Sequence, residues 1–282
     1  MKASEITKYT AAAALAILFG SCSKVEDSAP GTKLIPIELK VLMEPDTRSL
    51  NTKRSWNPGK DHILVSTYQP NYGDFSFGEY LVTDTEGNTK AIQPAVRKTE
   101  EYFEGPTHTR IYAFYWPAGS RDKKVNLQDQ STPQLLEAAD ILESRYSPED
   151  GVPTEGVTTV SFYHALARIR LVLDKATINA SEVAEILIAS DTEASIGTRR
   201  PAGGGPILTL AYANPGWISM CRDTDEPNVF EALVVPGYRP GGEQIKVRFQ
   251  NQESGETSEF PVLFDDSTNW AGDTTYEYMI SR

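Results

Sequence analysis

The sequence predicts an all-β protein built as two β-sandwich halves in tandem, behind a secretory leader and a flexible tether. Three observations carry this: a short leader ending at a cysteine, some eleven short strand-like runs punctuated by Gly and Pro, and one turn-rich break near the middle of the 282 residues.

Residues 1–21 open with Lys2 and Lys8 and continue into the apolar run Ala11 to Phe19. Small residues then precede Cys22, the order of a secretory signal. The run is far shorter than the roughly 20 residues that cross a bilayer core, so it does not serve as a mature anchor. From 22 to 33, charge, Pro and Gly with almost no apolar content read as a tether.

The first half is expected over 34–152. Leu34 to Val41 alternates, with Ile35, Ile37, Leu39 and Val41 on one face and Pro36, Glu38 and Lys40 on the other, the pattern of a half-buried strand with an edge-type proline. Further runs follow at 63–68, 80–83 and 110–116, separated by pieces such as YQPNYGD and DTEGN. Pro133 to Leu142 is the one helix candidate, with Thr132 as N-cap and Pro133 in the first turn.

The cluster SPEDGVPTEG at 147–156 marks a boundary, and the second half is expected over 153–282. A strand is expected over 157–173, although residues 162–173 fit both a helical and a period-two template. The β-branched Val157, Thr158, Thr159 and Val160 favour strand. More strands are expected at 185–190, 207–212, 229–235, 245–249, 260–264 and 274–280. PAGGGP at 201–206 and GYRPGGEQ at 237–244 read as strand connections, because neither has the context of a phosphate loop.

The formal charge of −12 falls to about −13 without the leader, since Lys2, Lys8 and Glu5 leave with it. Such acidity argues against nucleic acid and against a basic membrane-binding face. Cys221 is the only cysteine besides Cys22, so neither a disulfide framework nor a zinc site is expected. His62, His108 and His164 stand apart from one another with no metal spacing. Ser161 and Ser195 lack the nucleophile elbow, and the acid clusters Asp265-Asp266 and Asp223-x-Asp225-Glu226 lack calcium-loop spacing. No catalytic residue, cofactor or metal is therefore assigned, and an enzyme is not expected. The aromatics of Tyr112–Trp116, with Trp217, form either strand core or a sugar-stacking platform.

Several phrases taken together resemble the fimbrillin family, the type V pilins and fimbrial accessory lipoproteins of Gram-negative anaerobes. Leu18-Phe19-Gly20-Ser21-Cys22 resembles a lipobox. Thr47-Arg48 followed by SWNPGKDHILV, then IYAFYWPAG at 111–119, AADIL at 138–142, SFYHALARIRLVL at 161–173, ALVVPGYRPGGEQIKVRF at 232–249 and WAGDTTYEYMI at 270–280 are similar to family patterns in the family's order.

The resemblance implies two transthyretin-like sandwiches and a precursor held in the outer membrane by acyl chains on Cys22. It also implies a fimbrial subunit, tip or anchor that supports adhesion and pairs with other subunits by strand addition. A trypsin-like cut after Arg48 or Arg54 would release the lipid and first strand together. The end at Arg282, just past the 274–280 strand, suggests an acceptor of strands, as in a tip or anchor. A host protein or glycan is a possible ligand. The alternative expectation is a surface glycan- or ligand-binding lipoprotein.

Overall fold

The computed structural model describes residues 34–36, 38–43, 55–68, 76–92, 102–104, 110–115, 124–146, 157–199, 207–239, 241–250, 254–264 and 267–282, all within Lys33–Arg282. The class is all-β. A seven-stranded sheet runs in the order β2 (Glu38–Met43), β10 (Val157–His164), β9 (Leu142–Tyr146), β7 (Arg110–Tyr115), β3 (His62–Tyr68), β4 (Ser76–Val82), β5 (Thr89–Ile92). Beside it, β1 (Leu34–Pro36) pairs with β6 (Tyr102–Glu104).

A five-stranded sheet contains β13 (Ile207–Ser219), β12 (Val183–Arg199), β17 (Gly242–Gln250) and β18 (Thr257–Phe264), with β8 (Lys124–Asn126) also paired to β12. A four-stranded sheet runs β14 (Cys221–Arg222), β15 (Val229–Val234), β11 (Ala167–Leu173), β20 (Thr275–Ile280), and β16 (Gly237–Arg239) pairs with β19 (Thr268–Trp270).

Period-two alternation produces the first core. Leu39, Val41, Ile63, Val65, Tyr80, Val82, Ile111, Ala113, Val160 and Phe162 come from β2 and four further strands, and all turn to one face, where they pack with Trp56, Tyr115 and Leu142. The sheet curls so far that its two ends meet. Lys40 of β2 bridges antiparallel to Asn88 at the turn before β5, and Val41 N–H donates to the Gly87 carbonyl at 2.8 Å. Closure leaves β2 without a bare edge.

The second core lies between the five- and four-stranded sheets. Ile186, Ile188, Ile245 and Val247 come from one, and Ile169, Leu171, Phe230 and Ala232 from the other. These are the two inner faces of a sandwich. β15 is buried along its whole length, as expected of a strand inside the layers. Residues from the first half of the chain join this core: Leu127, Leu136 and Ile141 belong to it, and the buried Gln130 amide donates to the Leu233 carbonyl at 2.8 Å while its oxygen accepts from Leu233 N–H at 2.8 Å.

Several expectations need adjusting. The run 157–173 is two strands, because the chain breaks at Ala165-Leu166: Ala165 N–H donates to Ile141 O at 2.9 Å and Leu166 O accepts from Asp273 N–H at 3.3 Å, so neither stays in a ladder. The expected division at 152–153 lies outside the described residues, and the strand after it, β10, hydrogen-bonds to β2 and β9 of the first half. The strands expected at 185–190 and 207–212 lie at opposite ends of one long hairpin whose pairing runs from Leu187↔Ser219 to Arg199↔Ile207. The 237–244 segment does not close a hairpin onto β17; its Gly237–Arg239 pairs with β19. The helix α1 (Pro133–Ala138) forms with its Thr132 cap, Oγ1 accepting from Leu135 N–H at 3.3 Å, but stops four residues early because Leu142 is drawn into β9.

Candidate functional site

Within the segment that the sequence singled out, 34–43, the described residues form β1 and β2, and β2 closes the first sheet. It runs parallel to β10 in the register Glu38↔Val157 to Met43↔Phe162. Over one hundred residues separate these partners in sequence, so no short connection ties them. Side chains alternate as predicted: Leu39 and Val41 are buried and Met43 half-buried, while Leu42 is 40% exposed. Each fully buried aliphatic side chain contributes about 1.5–3 kcal/mol.

The other edge of β2 meets a rigid turn. Asp84 builds it, accepting from Glu86 N–H at 3.0 Å, from Asn88 N–H at 3.1 Å and from the Asn88 side-chain amide at 2.7 Å. These donors, the Asn88 side chain foremost, hold the Asp84 carboxyl below its ordinary value. Gly87 occupies the left-handed region at φ 85°, and a Cβ placed there would lie 1.9 Å from the Val41 carbonyl oxygen. Only glycine permits this approach. Thr89 Oγ1 adds a donor to Leu39 O at 2.9 Å.

Trp56 closes the end of the seat. Its Nε1 donates to Val41 O at 3.0 Å, and its ring makes edge contacts with Tyr115 at 5.7 Å and Phe162 at 5.6 Å. The loop behind it is fixed by Asn57 N–H donating to Asp61 at 2.6 Å and Gly59 N–H donating to Val82 O at 2.9 Å. Burial, with Asp61 and Asp140 nearby, raises the Tyr115 phenol well above its usual range, so it stays neutral.

The other sequence candidates that fall within the described residues have structural partners. Cys22, Arg48, Arg54, His108, Trp116 and Asp265-Asp266 lie outside the described residues. His62 bonds Glu79 at 2.7 Å and His164 bonds Asp140 at 2.8 Å, in separate places. Asp223 caps a turn through Asp225 and Glu226 N–H. Burial foremost pushes the Cys221 thiol up to about 11, a value that keeps it unreactive. Phe114 and Tyr115 are buried, Tyr112 packs against the second core, and Trp217 lies under the Lys246 ammonium at 4.6 Å, so these rings are core and pairing groups. Among the described residues, no three His, Cys, Asp or Glu side chains are grouped to hold a metal ion. Sequence reasoning missed the Gly87 turn and the Trp56 hydrogen bond as parts of the β2 seat. The DTEGN turn signal was visible, but not its target.

No protein-family model matches the chain, and no curated protein matches it in sequence. Solved structures do match in fold. A Bacteroides ovatus protein named "putative cell adhesion protein" superposes with a TM-score of 0.54 at 14% identity, over 88% of this chain and 92% of that one. A Bacteroides uniformis protein of the same name gives 0.49 at 16% identity over 91% and 95%. The tip fimbrial protein Mfa3 of Porphyromonas gingivalis, with a C-terminal truncation, gives 0.48 at 8% identity over 89% and 95%. The chain shares the fold of the Bacteroides ovatus protein.

Proposed function

We propose that this chain is a fimbrial subunit, at the tip or base of a fibre, that assembles by β-strand exchange and supports cell adhesion. The observation that carries the reading is β2: a closing strand, held by pairing on both edges and distant in sequence from its β10 partner. Exchange of such a strand substitutes one set of backbone bonds for an equal set, so affinity comes from the ladder and register from side-chain pockets. The fold shared with an adhesion-named protein supports the same reading.

In this account Cys22 carries the acyl chains that tether the chain to the outer membrane, and residues 22–33 span to the body. Arg48 and Arg54 stand between β2 and Trp56 in sequence, where a cut severs β2 from the sheet it closes. The body is two packing units, and we draw their division at Ala165-Leu166, where β10 of one sheet passes into β11 of the other.

Labelling cells with a fatty-acid precursor and sequencing the N-terminus of the surface form tests this. A labelled start at Cys22 is expected for a base subunit, and an unlabelled start at Ser49 or Ser55 for a processed tip. A surface form without label that begins at none of these overturns the proposal.

A further inference from the structure

The β2 seat does more than hold an apolar strand, because alternation alone leaves its register open. Ile35, Ile37, Leu39, Val41 and Met43 are all apolar at every second position. A slip of one residue turns Lys40 or Leu42 inward and is excluded by polarity or packing, but a slip of two keeps the pattern intact. Something else must fix which residue sits where.

We propose that the seat selects its strand at the Val41 position, and that Gly87 and Trp56 are the specificity-determining residues. This rests on the strand-exchange reading and names the partner segment it takes: an extended strand of another subunit, parallel to β10, with a compact β-branched apolar residue bearing a free N–H at that one point.

Val41 is engaged on every side. Its N–H donates to Gly87 O at 2.8 Å, its carbonyl accepts from Trp56 Nε1 at 3.0 Å, and its side chain is 0% exposed. The carbonyl fits only because position 87 has no Cβ, which would stand 1.9 Å away. Trp56 cannot retreat, since Tyr115 and Phe162 pack against its ring. Met43, by contrast, is only half-buried, so the seat widens toward that end.

A two-residue slip in one direction forces Met43 into the enclosed Val41 space and overpacks it. In the other direction it brings Leu39 there and moves Pro36 to the Glu38 position. The odd-numbered backbone groups of β2 face the turn, so the even-numbered ones face β10, and a proline at that position gives β10 no donor. Only the observed register avoids both faults.

The test uses the full chain, treated with an arginine-specific protease that leaves Lys40 intact, in the presence of biotinylated peptides spanning residues 33–48. The native peptide is expected to be captured. Peptides with N-methylated Val41 or with Val41→Trp are expected to be captured at least about tenfold less, the scale of one lost buried hydrogen bond or an overpacked core site. A Leu42→Ser peptide, altered only on the outer face, should match the native one within about twofold. Equal capture of the N-methyl and native peptides overturns the selection rule while leaving exchange intact.

Capture of no peptide, the native one included, overturns exchange instead. The clamp is then judged in the uncut chain by amide exchange. Protection at Val41 that falls in both Gly87→Ala and Trp56→Phe supports it, and unchanged protection in both overturns it.

Discussion

The strands β2 and β20 occupy matching places and are held in opposite ways. Each is parallel to one of two successive strands, β2 to β10 and β20 to β11. β2 is bonded along both edges, to β10 and to the 87–89 turn, and sends Leu39 and Val41 wholly inside. β20 pairs along one edge; among the described residues its other edge carries no ladder. Its Tyr276 and Tyr278 are half-buried and Met279 is 75% exposed.

Beyond its backbone ladder to β11, side chains add the bonds that fix β20. Trp270 Nε1 donates to the Tyr278 hydroxyl at 3.0 Å, Ala271 N–H donates to the Tyr276 hydroxyl at 2.9 Å, and Arg170 pairs with Glu277. A strand fixed through its own backbone on both edges can be replaced by any segment that offers the same backbone groups and a fitting side-chain pattern. A strand fixed through particular hydroxyls and charges cannot. Under the proposed function, this difference makes β2 the element to be exchanged and β20 the one that stays.

That contrast can be broken most severely at Gly87. Gly87→Val adds a β-branched side chain at φ 85° against the Val41 carbonyl and should cost roughly 2–4 kcal/mol. On β20, Met279→Ser should stay within about 0.5 kcal/mol. Urea unfolding of both variants measures the gap, and equal costs would remove the distinction between the strands.

Trp56→Phe keeps most of the packing but leaves the buried Val41 carbonyl without its donor, so a loss of about 1–3 kcal/mol is expected by the same assay. Tyr278→Phe sharpens the other side of the comparison. It deprives Trp270 Nε1 of its acceptor at a half-buried site, with an expected loss of about 0.5–1.5 kcal/mol, and leaves amide protection in β2 unchanged.

The smallest effect is that of pH on the Asp84 turn. Because the folded carboxyl titrates below its ordinary 3.8, its contribution is complete above that value and fades as pH falls through the lowered one. The Glu86 and Asn88 amides should therefore lose protection, relative to the intrinsic exchange rate at each pH, below about pH 4, and Asp84→Asn should abolish that dependence.

Local signals made much of this architecture legible. Alternation located Leu39 and Val41 on the inner face, and Thr132-Pro133 marked the start of α1. What escaped is non-local. Nothing near residue 87 announces that its carbonyl will meet a strand 46 positions earlier, and the bond from Trp56 to Val41 joins residues 15 apart. The length of the β12–β13 hairpin was also hidden, because Asp191, Thr192 and Glu193 interrupt the apolar pattern while the backbone pairing continues through Asp191↔Pro215 and Glu193↔Ala213. The break at Ala165-Leu166 has no turn residue to mark it. Tertiary contacts with Ile141 and Asp273 impose it.

The most direct measurement is limited digestion of the intact chain with a trypsin-like protease, followed by mass analysis of the fragments and of any assemblies formed with other fimbrial subunits. The account predicts one early cut after Arg48 or Arg54, departure of the piece bearing β2, and growth of complexes as a new strand takes its place. Resistance at both arginines, or a cut after which the β2 piece never leaves and no complex appears, would contradict it.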